Sequence, residues 1–172
     1  MKNVKRVVVV MLALGIGLGT MSCKKDDNKD SGTNPTPPTL EEQVAGTWLS
    51  ADDNVAPILQ GDPFNYDSVM VTFTDMGVVT LKSHVRDGDW TQAAGVFDVT
   101  KSASGDIHAI HLNYTAFEQE GIFQITTGSP DNLKLEAVQT VPDYGFTVPT
   151  PENGFGADPV YQEMNIQMYV RQ

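Results

Sequence analysis

The chain has 172 residues, 22 acidic against 11 basic, with a formal charge of −11, 40% hydrophobic side chains and a single cysteine. Such an acidic balance excludes the phosphate neutralisation on which nucleic-acid binding depends. One cysteine leaves no intrachain disulfide to make, so any fold rests on its core, which a single domain of this length can supply.

The first stretch reads as a leader. Lys2, Lys5 and Arg6 form a basic start, and Val7 to Gly19 is an apolar and glycine run. Thr20, Met21 and Ser22 then lead into Cys23. At about 1.5 Å per residue the run spans roughly 20 Å, short of a hydrocarbon core of about 30 Å. A removable signal peptide over 1–22 is therefore expected rather than a membrane span. Without Lys2, Lys5 and Arg6 the remaining chain carries 8 basic and 22 acidic residues, a formal charge of −14.

With Cys23 directly after Ser22, the leader resembles a bacterial lipoprotein signal, in which the cysteine is lipidated and becomes the mature N-terminus. Thr20 departs from the leucine usual three places before that cysteine. Lys25, Asp26 and Asp27 follow, and a lysine with two acids after the lipidated cysteine resembles the surface-export signal of Bacteroidota lipoproteins. The resemblance implies an outer-membrane anchor of acyl chains, palmitate among them, with the domain on the cell surface. Two or more chains anchor stably where one does not, since each buried methylene contributes about 0.8 kcal/mol.

Residues 23–38 then form a tether of charged, small and proline residues with nothing apolar to seed a core. Residues 39–172 form the domain. Thr39 and Glu42 make a capping box for one or two helical turns that stop at Gly46. Strands are expected at Gly46–Asp52, Ser68–Thr74, Val78–Arg86, Trp90–Thr100, Asp106–Thr115, Glu120–Thr127, Leu133–Thr140 and Glu163–Arg171. Gly95 marks an irregularity in the fourth. Asp53–Asp67 and Val141–Gln162 are long loops. Alternation assigns one apolar face to each strand. The inward set is Val71, Phe73, Leu81, Phe97, Ile110, Leu112, Phe123 and Leu135, with Met164, Ile166, Met168 and Val170 inward on the last strand.

Eight strands joined mostly by tight turns predict an all-β, antiparallel, up-and-down barrel, with a two-sheet sandwich as the alternative. A short helix followed by Gly46, Thr47 and Trp48, and then an eight-strand meander, resembles the lipocalin-like (calycin) families, and most closely the lipocalin-like lipoproteins of Bacteroidota. That resemblance implies Trp48 packed across the barrel floor with Arg171 against it. Strict alternation with Val170 inward places Arg171 on the other face, so the pairing then needs a bulge or a twisted strand end.

Candidate chemistry is sparse. His108 and His111 are three apart in a strand and face opposite ways, so no metal site is expected. Asp87 with Asp89, and Glu118 with Glu120, sit at turns or strand starts and read as solvated charge. Asp52, Asp53 and Asn54 lack the ligand pattern of a calcium loop. No cofactor and no enzymatic activity are expected. The first functional expectation is non-catalytic binding of a small apolar ligand inside the barrel, lined by Phe73, Leu81, Phe97 and Phe123 and oriented by His108 and Tyr114. The alternative is a filled barrel acting as a surface interaction module toward a protein or glycan, through loops that include Trp90. The Val141–Gln162 loop carries Tyr144, Phe146, Phe155 and Tyr161. It is expected either as a lid over the barrel mouth or as a flap along the outside wall.

Overall fold

A computed structural model describes residues 36–172. Cys23, Lys25, Asp26 and Asp27 lie outside the described residues. Eight strands close into an antiparallel barrel in sequence order, each bonded to its neighbours and the last to the first. They are β1 (Gly46–Ala51), β2 (Tyr66–Phe73), β3 (Val78–Val85), β4 (Trp90–Thr100), β5 (His108–Tyr114), β6 (Glu118–Thr126), β7 (Asn132–Val141) and β8 (Ile166–Arg171). Closure removes the unpaired strand edges that an open sheet of this kind would present.

A short helix, α1 (Leu40–Val44), precedes the barrel and carries the expected capping box. The Thr39 hydroxyl accepts from the Glu42 amide at 3.2 Å, and Glu42 Oε2 accepts from the Thr39 amide at 2.7 Å. The first long loop is more structured than its prolines suggest. Asp52–Asn54 makes a 3-10 turn, and Pro57 opens a one-turn helix, α2 (Pro57–Gln60), from the first helical position, where its missing N–H costs nothing. Between them Val55 and Ala56 are buried, and Val55 belongs to the core. This connection therefore folds into the barrel end reached by the close of β1.

The expected irregularity at Gly95 is not a bulge, because the register with β3 and β5 runs straight through it. The strands instead approach so closely that a Cβ at Gly95 would strike the Asn113 carbonyl, as one at Gly121 would strike that of Glu136. Register shifts fall at Tyr66/Ser68 and Glu118/Gln119.

The expected phase of β8 is overturned. Glu163–Asn165 is a 3-10 turn rather than strand, and the buried residues of β8 are Gln167 and Tyr169. Ile166, Met168 and Val170 face outward, and Met168 is 39% exposed. Both alternating sets of this strand hold groups able to pack, so the pattern alone favours the more apolar one. Inside the barrel, the Tyr169 ring fills core space, and Gln167 Oε1 accepts from the buried Ala56 amide at 2.9 Å. A methionine at that position would leave this amide unpaired.

Candidate functional site

The barrel floor is built from the seam between β1 and β8, which pair through Trp48↔Arg171 and Leu49↔Val170. With Val170 outward, Arg171 points inward with no bulge. Its guanidinium carbon lies 4.1 Å from the centroid of the fully buried Trp48 ring. Arg171 Nη1 donates to the Ala45 carbonyl at 2.5 Å, Nη2 to Gln43 at 2.7 Å and Nε to Asp131 at 3.0 Å. Trp48 Nε1 donates to the Val44 carbonyl at 2.8 Å. The carbonyls that end α1 are thus satisfied by two side chains of the barrel. Asp131 also accepts from the Gly128 amide at 2.9 Å; that bond, with Arg171, holds its carboxyl below the usual range. Gly46, at φ +134°, has no room for a side chain, since a Cβ would lie 2.5 Å from Arg171 Nη1.

The interior residues expected to line a ligand site pack on one another. Phe73 and Phe97 meet edge-on at 4.9 Å between ring centroids, and both belong to one buried cluster with Phe123, Ile110 and Leu112. Leu81 packs against this cluster while partly buried. His108 and Tyr114 stand at opposite ends of β5. His108 rests edge-on against Phe123, and its Nδ1 accepts from the Ser102 amide at 3.3 Å. The Tyr114 and Tyr169 hydroxyls are held protonated by burial, and each is pushed well above the ordinary tyrosine range. His111 faces outward, 3.3 Å from Glu118, as strand parity requires. Among the described residues no three His, Cys, Asp or Glu side chains converge as a metal site.

The long loop after β7 has the contacts of an outer-wall strap. The Phe155 ring lies 4.3 Å from Lys134 Nζ, which projects outward from β7. The Gly156 amide donates to Glu136 Oε2 at 2.7 Å, also on the outer face of β7. A cavity of about 210 Å³ separates Val148–Pro151 from the outer faces of β4, β5 and β6. Beneath the strap Ile122, Val138 and Glu136 are buried although all three point away from the barrel interior. Asp158 holds the strap in shape. Its two oxygens accept from the amides of Thr147 (2.9 Å), Val160 (2.8 Å) and Tyr161 (2.9 Å), which pull its carboxyl down to about 2. Phe146 and Tyr161 meet at a tilt of 56° with 4.8 Å between ring centroids, while Tyr144 stays exposed. Between the strap and Pro57 of α2 opens a cleft of about 520 Å³.

Neither Glu136 nor Asp158 stood out in the sequence. An acid at an outward strand position reads as solvated, and only the strap makes Glu136 buried. Asp158 had a usable signal, an acid followed by proline and able to accept from amides further on. On the upper wall His84 Nδ1 and Asp67 Oδ1 are 2.6 Å apart, and the half-exposed Trp90 packs on the imidazole at 5.0 Å.

The fold and these sites define a closed β-barrel with a packed interior and an outer strap. Comparison with family models, curated proteins and solved structures finds no match.

Proposed function

We propose that this chain is a lipid-anchored, non-catalytic binding protein of the outer membrane, whose barrel interior is a core and whose partner meets the outside. One observation carries this reading: the side chains expected to line a ligand chamber are buried against each other, while both cavities described above lie outside the barrel along the strap. A chamber for an apolar ligand needs open volume among such side chains, on the order of 300 Å³ or more. The leader ending at Cys23 and the acids after it support anchoring and surface display, and the lipocalin-like resemblance supports a binding role over catalysis.

Native mass spectrometry of the full chain extracted from cells tests the placement of the site. The expected spectrum carries the mass of the N-terminal lipid and no further apolar adduct. A stoichiometric fatty-acid or sterol adduct, retained when Cys23→Ser removes the anchor, would return the site to the interior. The same Cys23→Ser variant is expected to leave the membrane fraction with its barrel intact. Retention in that fraction would overturn the anchor.

A further inference from the structure

We infer that the barrel interior, at the end opposite the floor, binds one ordered water molecule that bridges Ser50 and Gln167 and completes the seam between β1 and β8. The seam pairs only through Trp48↔Arg171 and Leu49↔Val170, although both strands run on beyond it. Carried further, that register sets Ser50 opposite Tyr169 and diagonal to Gln167, and all three are buried. There β8 is tied to the segment that follows β1 by a side chain, since Gln167 Oε1 accepts from the Ala56 amide at 2.9 Å. Whether a partner binds outside the barrel or within it does not enter this inference.

Two polar groups here are unmet. Ser50 is fully buried and Gln167 is 4% exposed, and among the described residues neither Ser50 Oγ nor Gln167 Nε2 has a hydrogen-bond partner. The bond to Ala56 fixes which end of the Gln167 amide is its oxygen, so the end left over is the NH2, a donor. The Ser50 hydroxyl can donate or accept. Side chains at diagonal positions of an antiparallel pair start roughly 7–8 Å apart, a spacing that a reaching glutamine and one bridging molecule can close. Left unmet, each group carries the full penalty of its lost hydration.

Size and charge select water. Ser50 stands in an inward row with Val69 and Ser83 across β1, β2 and β3, whereas the next row toward the floor holds Trp48, Val71 and Leu81. A row of small side chains leaves room on the scale of one water, about 30 Å³, rather than of an organic ligand. The buried residues next to Ser50 and Gln167 in chain or register are Ala56, Val69 and Tyr169, none of them charged, and burial keeps the Tyr169 hydroxyl protonated. An ion would be buried here without a counter-charge. An apolar occupant would leave the hydroxyl and the NH2 as they are. A water accepts from Gln167 and exchanges a bond with Ser50, and so holds the Gln167 amide in the position from which it serves Ala56.

The test is a crystal structure of the full chain in non-ionic detergent, at a resolution that orders buried water, with hydrogen exchange of the Ala56 amide followed in solution. One density peak is expected within about 2.7–3.2 Å of both Ser50 Oγ and Gln167 Nε2. Ser50→Ala removes one of the water's two partners at little cost in packing. It is expected to lose the peak and to quicken exchange of the Ala56 amide about fivefold, because the Gln167 amide is then held from one side only. A direct bond between Ser50 and Gln167, a site with no density, or a peak that persists unchanged in Ser50→Ala would overturn the inference. So would unchanged exchange at Ala56 once the peak is lost, since the water would then have no part in the seam.

Discussion

The barrel floor and the outer strap each hold an ionisable side chain against the protein, and they do so in opposite ways. At the floor Arg171 has a partner in every direction: a carboxylate, two helix-end carbonyls and the face of Trp48. At the strap Glu136 is more deeply buried, yet a single amide reaches it and one oxygen is left without a partner. A satisfied buried charge fixes one arrangement, whereas a half-satisfied one makes the packing over it depend on protonation. The floor is therefore a permanent joint and the strap a conditional one. The contrast repeats between the two acids that hold the strap, since Asp158 within it receives three amides and Glu136 beneath it receives one.

The floor can be broken first. Trp48→Ala is expected to cost about 3–5 kcal/mol in denaturant melts, the usual loss for a fully buried aromatic. A loss under about 1 kcal/mol would remove Trp48 from the foundation of the fold. Arg171→Met should cost less, about 1–3 kcal/mol, because the guanidinium is partly exposed; what is lost is its bonds to the end of α1 and to Asp131 and its contact with the Trp48 ring. Arg171→Lys should recover only part of this, since one ammonium cannot serve Gln43, Ala45 and Asp131 together.

The strap answers to pH through Asp158 within it and Glu136 beneath it, and these two acids answer with opposite sign. Asp158 has a folded value lowered to about 2, chiefly by the amides of Tyr161, Thr147 and Val160. Its contribution is complete above the ordinary carboxylate value of 3.8 and is lost as pH falls through about 2. Asp158→Asn should therefore raise proteolytic cleavage within 142–161 severalfold at neutral pH and erase further acid loosening between about pH 4 and 2.

Glu136 is raised, first by burial and then by the charge of Asp158, against the opposing pull of the Gly156 amide and Lys134. The facing residues on β6 and β8, Ile122 and Ile166, are apolar. Its contribution is complete below the ordinary value of 4.5 and fades as pH rises through the raised folded value. Hydrogen exchange at the Gly156 amide should accordingly quicken as pH climbs through that window, beyond the intrinsic pH dependence of exchange. Glu136→Gln should flatten the excess, the smallest of the four effects. An unchanged excess in the variant would locate the dependence elsewhere.

Much of the barrel was legible because its strands alternate cleanly and its turns are tight. Trp90–Thr100 runs as expected, and the capping box at Thr39 and Glu42 forms. The floor residues Gly46, Trp48 and Arg171 come together without the expected bulge, because β8 lies in the opposite phase to the one its apolar pattern suggests. The strap was legible as a long, aromatic, proline-rich segment, but its resting place was not. Periodicity describes a strand's two faces and says nothing about what a loop will cover. The Asp53–Asp67 stretch reads as loop because Pro57, Gly61 and Pro63 break longer periodic patterns, yet one turn of helix needs no period.

The amino-acid order by itself determined the eight strands, their antiparallel order and the short helix that Trp48 follows, because hydrophobic spacing, turn residues and caps act over a few neighbours. Only the tertiary structure decided which face of β8 is inside and which acid is buried. β8 must bond to β7 and β1 at once, and that closure sets its phase whatever its own pattern prefers. Glu136 becomes a buried acid only when a segment 20 residues further along lies across it.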